Sequence, residues 1–386
     1  MVLKRASLLF AFSLVVYATF SRKYFFAQSH APNYVYLANL FNQGRVIFDK
    51  PYAVEMFPVA GGATTAAPLF PAVLMMPFIW VWGLAFNDVI FTILIGALNV
   101  TLTYLLLRRY AQDVLSEEQI LWLTFLFGFG SVHFYSAIYG TVWFTAHIVC
   151  VTLTILYLYC LKDLAHPFWA GVCFACSVFS RTPAVMSIFY FGYLVFQRGA
   201  KRTLKEIVLF LIPTILIAVL GMEYNFVRFL NPLEFGHRFV SGHQDFPSFI
   251  NLRYVGANLY NLLFRPPVLM EKFPYVVYND LGMSLFIISP AFLWLFYPTR
   301  LDAQRAALFV TAALIALPGL MHYAGGFGQL GPRFVLDYVS YLMILLAASV
   351  KRHWSLFKAF ILVSIAFNAY GAVLWSVQNR NLHALF

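Results

Sequence analysis

Charge is scarce in this sequence: Asp, Glu, Lys and Arg make up only 11% of its 386 residues, against 62% hydrophobic and 19% aromatic. With a mean hydropathy of +0.77 the chain departs far from a soluble domain and reads as an all-α polytopic membrane protein. Cysteine is equally sparse. Cys150, Cys160, Cys173 and Cys176 all fall in apolar segments, with no pair in a polar loop where an oxidising compartment could cross-link it. Cys173-x-x-Cys176 has a redox or metal spacing, but inside a membrane helix it reads as two small packing residues and is given no such role. There is no G-x-S-x-G elbow and no H-E-x-x-H pair, so serine-hydrolase and zinc-protease chemistry lack residues. No small-x-small cleavage site follows the apolar opening before Arg22-Lys23, and Ala6–Phe20 is expected to be a retained first transmembrane helix. Internal repeats and low-complexity tails are absent as well.

Basic residues outnumber acidic ones, 26 to 15, for a net charge of +11. They cluster in short loops between apolar runs, where they set orientation, so no nucleic-acid partner is expected. Runs of about bilayer length are Ala6–Phe20, Pro68–Phe86, Val89–Leu107, Gln119–Ala137, Thr141–Leu161, Pro167–Ser180, Thr182–Gln197, Glu206–Phe226, Gly282–Phe296, Ala306–Tyr323, Phe334–Val350 and Ser355–Ser376. The positive-inside rule puts Lys4-Arg5, Arg108-Arg109, Lys162, the Arg198/Lys201/Arg202/Lys205 cluster, Arg300/Arg305 and Lys351-Arg352 in the cytoplasm. If every run crossed, Lys4-Arg5 and Arg108-Arg109 would face opposite sides. Pro68–Phe86, interrupted by Pro71 and Pro77 and carrying Trp80 and Trp82, is therefore expected to be re-entrant or interfacial. About eleven transmembrane helices remain, in a plasma or inner membrane, with the N-terminus cytoplasmic and the C-terminus outside. Two large loops, residues 21–88 and 227–281, then share the outer side, and Arg181 tips a short hairpin between two runs. The expected grouping is a module over 1–281 followed by C-terminal transmembrane helices over 282–386.

Chemistry must use these outer loops. From Pro32, Tyr34, Leu37, Ala38 and Phe41 fall on one helical face and Gly44 offers a stop, which predicts a short interfacial helix. The outer acids able to act as a general base are Asp49, Glu55, Asp245, Glu271 and Asp280. Arg181, an ionisable residue at membrane depth, reads either as a cation for a lipid phosphate or as a snorkelling or paired arginine. Asn231-Pro232 and Gly236 mark a turn followed by His237, Arg238 and His243, whose spacing suits phosphate or sugar hydroxyls better than a metal; an ordinary solvated loop is the alternative. Gly325, Gly326 and Gly328 precede Gln329 and Arg333, where the backbone can approach a ligand closely, but no strand precedes them to make a phosphate-binding loop or dinucleotide fingerprint. Asp337, one helical turn after Arg333, is positioned for an ion pair that could be purely structural.

The order of Tyr36-Leu-Ala-Asn-Leu-Phe-Asn-Gln-Gly-Arg45, Ala67-Pro-Leu-Phe-Pro71, Gly140-Thr-Val-Trp-Phe144, Ser180-Arg-Thr-Pro183, Tyr224-Asn-Phe-Val-Arg-Phe-Leu-Asn-Pro-Leu-Glu-Phe-Gly236 and Gln329-Leu-Gly-Pro-Arg-Phe-Val-Leu-Asp337 resembles the C-type glycosyltransferase superfamily, in its uncharacterised bacterial members. The resemblance covers most of the chain. It implies transfer of a sugar from a polyprenyl-phosphate donor to a lipid, glycan or protein acceptor on the non-cytoplasmic side, by inverting chemistry. In that superfamily an acidic residue opens the first outer helix, whereas His30, with Asn33 nearby, stands at that position here. Three alternatives follow: Asp49 or Glu55 substitutes, His30 serves as the base, or transferase chemistry has been lost.

The leading expectation is a membrane glycosyltransferase with Asp49, Glu55 or His30 as the catalytic base. Arg181, Arg333, His237 and Arg238 would hold the donor phosphate, and Asn33, Tyr36, His243 and Gln329 would contact substrate. No acidic cluster resembles a divalent site, so no metal or other cofactor is expected. The alternatives are a transporter or flippase of a lipid-linked substrate, against which the absence of repeated halves counts, and a non-catalytic subunit of an envelope glycan assembly complex.

Overall fold

The computed structural model describes residues 2–240, 249–273, 275–279, 281–297, 302–323, 325–326, 328–350 and 353–382, without the side chains of 23, 238 and 375–382. Its helices, in chain order, are α1 (Val2–Ser21), α2 (Asn33–Asn42), α3 (Leu69–Trp82), α4 (Asp88–Ala111), α5 (Glu117–Phe129), α6 (Val132–Tyr139), α7 (Thr141–Leu161), α8 (Pro167–Val178), α9 (Ile188–Arg198), α10 (Leu204–Phe229), α11 (Val255–Leu263), α12 (Leu285–Ile288), α13 (Ala303–Leu320), α14 (Val339–Ala347) and α15 (Trp354–Leu382). Two small antiparallel ribbons pair β1 (Met56–Val59) with β2 (Gly62–Thr65) and β3 (Val268–Leu269) with β4 (Val276–Val277).

Among the described residues six helices, α1, α4, α7, α10, α13 and α15, are long and apolar enough to cross a bilayer, and a seventh span results if α5 and α6, bent by 50°, count as one. The chain is thus a polytopic, predominantly helical membrane protein, as lipid demands of a backbone that must satisfy its own hydrogen bonds. Eleven full-length crossings are not matched. The runs 167–180 and 182–197 become the 12-residue α8 and the 11-residue α9 joined through a 3-10 turn at Thr182–Ser187, and 282–296 becomes the four-residue α12 and a 3-10 turn at Pro290–Phe296. Pro183 and Pro290 open those 3-10 turns, where a missing N–H is tolerated but a longer helix is interrupted. The run 68–86 forms α3, with Pro77 inside it and Trp80 and Trp82 exposed, followed by a 3-10 turn.

The chain packs as two compact units: Met1–Arg22, Ile93–Ile138 and Ile250–Phe386 in the first, Lys23–Thr92 and Tyr139–Phe249 in the second. In the first, α1 and α5 pack on α15. A buried polar chain runs through it, with the Tyr17 hydroxyl donating to Gly128 O at 2.7 Å and lying 3.1 Å from His133 Nδ1, and Asn99 Nδ2 3.3 Å from His133 Nε2. The α5–α6 bend falls at Gly130-Ser131, where the Ser131 hydroxyl donates to Phe127 O at 2.6 Å.

The second unit is built on α7, which is buried over most of its length and packs on α8 as α8 packs on α10. Gly171 makes the last contact close, because a Cβ there would strike the Phe210 carbonyl of α10. The helix α2 is more enclosed than an interfacial helix with one apolar face: Asn33, Tyr34, Val35, Leu37, Ala38 and Leu40 are all buried, against α3 and α7 among others. It stops as its spacing predicts, Gly44 at φ 69° donating to Phe41 O at 2.9 Å.

Candidate functional site

The second unit gathers several of the singled-out side chains around the N-terminal turn of α2. Gly140, at φ 64° against Val89, lets α7 start abruptly, and Val142 N–H donates to Ala31 O at 3.0 Å, which ties α7 to the residues just before α2. Trp143, on that first turn of α7, donates its indole N–H to Glu55 Oε1 at 2.8 Å. His30 is exposed, its ring 6.0 Å from that of Trp143. Asn33 Nδ2 donates to Val54 O at 2.6 Å, fixing the loop on which Glu55 sits.

Tyr34 lies at the centre. Burial pushes its phenol well above the usual range; the Arg181 guanidinium works against that rise, and Glu55 and Tyr224 add to it. A carboxylate, a guanidinium and a second phenol therefore each act electrostatically on Tyr34. Arg181 sits between α8 and the 3-10 turn at Thr182–Ser187, half-buried, with its N–H donating to Ser177 O at 2.8 Å. The Tyr34 and Tyr224 hydroxyls, the Thr141 hydroxyl and Asn33 Oδ1 are buried without a hydrogen-bond partner among the described residues. Buried polar atoms of this kind call for an explanation, a polar ligand being one.

Beside this cluster is a cavity of about 20 Å³, lined by Thr182, Tyr224, Asn225, Arg228 and His237 among others, with room for about one water molecule. Arg228, near the end of α10, is only 6% exposed. It donates to Thr65 O at 2.8 Å and Asn225 Oδ1 at 2.7 Å, with its guanidinium 3.8 Å from the Tyr224 ring centroid.

Asp49 is elsewhere in its surroundings, on the surface and paired with Arg45, whose hydrogen bond and charge hold its carboxyl below the usual carboxylate range. Glu55, in contrast, is half-buried beside Trp143. Tyr36 stacks on Tyr52. Gln329 and Arg333 belong to the first unit. There the Gln329 side chain is fully buried, its amide donating to Leu281 O at 3.0 Å and Gly325 O at 3.2 Å while its oxygen accepts from Arg333 N at 3.0 Å, so it braces the glycine-rich loop. The Arg333 guanidinium lies 5.6 Å from the Phe334 ring centroid. The Arg238 side chain, His243, Asp245 and Asp280 lie outside the described residues, and Glu271 is exposed.

Sequence reasoning missed four residues here. Tyr34 reads as one member of an apolar face and Tyr224 as part of a span. Arg228 falls after the apolar run that ends at Phe226, and only the continuation of α10 to Phe229 makes it a buried helical cation. Asp88 reads as a loop end, yet it is buried, accepting from Ser29 N–H at 2.8 Å and the Ser29 hydroxyl at 2.5 Å beside His30. A signal was available for the arginine, since a charge within reach of a membrane helix is a functional hypothesis by default.

No protein-family model matches the chain, and no curated protein sequence matches it. Among solved structures it is similar to the archaeal oligosaccharyltransferase AglB from Archaeoglobus fulgidus, in complex with an inhibitory peptide and a dolichol-phosphate, with 14% identity and a TM-score of 0.45 over 95% of this chain and 55% of that one. The chain therefore spans little more than half the length of that structure, and the likeness assigns no role to any residue here.

Proposed function

We propose that this chain is a membrane glycosyltransferase that moves a sugar from a polyprenyl-phosphate donor to an acceptor hydroxyl on the non-cytoplasmic side of the membrane. The observation that carries the reading is the grouping of Glu55, Arg181 and Tyr224 around Tyr34 in the second unit, where hydroxyls of both tyrosines are buried without a hydrogen-bond partner among the described residues. Glu55 takes the acceptor proton as the acceptor oxygen bonds to the anomeric carbon. The bond from that carbon to the phosphate oxygen breaks with inversion, and Arg181 stabilises the departing lipid phosphate. His237, lining the neighbouring cavity with Arg228, supports the phosphate side. Asp49 is disfavoured as the base, because its carboxylate is held by Arg45, which lowers its proton affinity.

Glu55→Gln tests the assignment in proteoliposomes supplied with a radiolabelled polyprenyl-phosphate sugar and an acceptor extract. The expected outcome is a loss of turnover of about 10²-fold or more, with donor binding and the thermal unfolding midpoint retained, and little change for Asp49→Asn. Unchanged turnover in Glu55→Gln together with a loss in Asp49→Asn would transfer the base role to Asp49; unchanged turnover in both would remove a carboxylate base from the mechanism.

A further inference from the structure

The exposed flank of α2 carries a second arrangement, separate from the buried cluster. Tyr36 and Tyr52 stack with ring centroids 6.0 Å apart and planes 19° from parallel, and Tyr52 is 46% exposed. Together with Asn39, Gln43, Arg45 and Asp49 they line a groove of about 160 Å³. Asn39 and Gln43 are four residues apart on the helical stretch and its cap, hence neighbours on one face, and each amide offers both donors and an acceptor. Arg45 and Asp49 are joined by hydrogen bonds, so the groove holds a planar cation and a planar anion whose charges offset each other.

This chemistry selects its occupant. A phosphate or other anion would meet the Asp49 carboxylate, and a lipid tail would leave the Asn39 and Gln43 amides facing hydrocarbon. A sugar ring matches both halves, its C–H face lying on an aromatic ring and its hydroxyls reaching groups that donate and accept in pairs. We infer that this groove binds a neutral saccharide. Its place along α2 is also informative. Tyr36 stands one helical turn from Asn33, whose amide holds Val54, the residue before Glu55. A saccharide on the tyrosine pair thus lies along the same helix and loop that carry the proposed base. Its identity as the acceptor, a glycan end rather than a lipid or peptide, rests on the transferase reading above; its binding does not.

The test is titration of the purified full-length protein in detergent with maltotriose, chitotriose and mannotriose, read by saturation-transfer NMR and calorimetry. At least one trisaccharide binds, Tyr52→Ala weakens it by about tenfold, Tyr52→Phe stays close to wild type, and Glu55→Gln leaves binding intact. Because Tyr52 is exposed, its variants keep the wild-type melting temperature; Asn39→Ala supplies an independent second loss. Absence of binding by all three sugars, or binding indifferent to Tyr52→Ala and Asn39→Ala, overturns the inference. Tyr52-dependent binding without any sugar transfer leaves the groove standing and removes the transferase reading. Transfer to a lipid or peptide acceptor at wild-type rate in Tyr52→Ala keeps the transferase reading and overturns the saccharide's identity as the acceptor.

Discussion

Arg228 is enclosed by neutral partners: Thr65 O, Asn225 Oδ1, and the rings of Tyr224 and Phe229 at 3.8 and 4.5 Å. It clamps the end of β2 to the end of α10. Arg228→Ala is expected to lower stability by about 3 kcal/mol, from lost charge-assisted hydrogen bonds and a desolvated cation–π contact, seen as a drop in the thermal unfolding midpoint. Arg228→Lys should recover little of it, because a point charge cannot span a carbonyl and an amide as the planar fork does. An unshifted midpoint in both variants would mean that the clamp carries no weight. The same dependence on partners separates Asp49 from Glu55. The two are interchangeable as acids of one loop, and their neighbours distinguish them: an exposed arginine for Asp49, a tryptophan N–H for Glu55.

The contact between α8 and α10 depends on a missing side chain. Because a Cβ at Gly171 would strike the backbone carbonyl of Phe210, which cannot rotate away, Gly171→Ala forces the helices apart. A destabilisation of about 1–3 kcal/mol is expected, measured as an earlier thermal transition, whereas Gly192→Ala, where nothing lies within 4 Å, should be neutral. Equal midpoints for both would refute the close packing. Hydropathy located these apolar segments but not their breaks. It read 119–137 as one run, while Gly130 and Ser131 divide it into α5 and α6. The β1–β2 hairpin also escaped, since its four-residue strands lie in a polar loop and include Pro58; its register, Val59 opposite Gly62 across Ala60-Gly61, depends on glycines at φ 85° and 149°.

For the chain as a whole the orientation expected from its basic loops can be checked directly. With the N-terminus cytoplasmic, a cysteine introduced at the exposed Ala60, in the β1–β2 turn, should react with a membrane-impermeant maleimide in intact cells, above the background of the native cysteines. One at Ala200, in the loop carrying Arg198, Lys201 and Arg202, should react only after permeabilisation. The opposite pattern would invert the topology and put Glu55 on the side away from the proposed donor.

Membrane class and the approximate positions of apolar segments were legible in the residues, because transfer of each side chain into lipid is nearly additive along the chain and requires no knowledge of neighbours. The residue types of the proposed site, an acid in the first long loop and Arg181, stand in the sequence too. Their association does not. Tyr34 comes within reach of Glu55, Arg181 and Tyr224, and Arg228 meets the β1–β2 hairpin, through contacts between segments far apart in the chain. Such contacts follow from the packing of α2, α7, α8 and α10, which depends on shape and on small residues such as Gly171 rather than on hydropathy, and burial then decides which polar groups are paired and which are left facing one another.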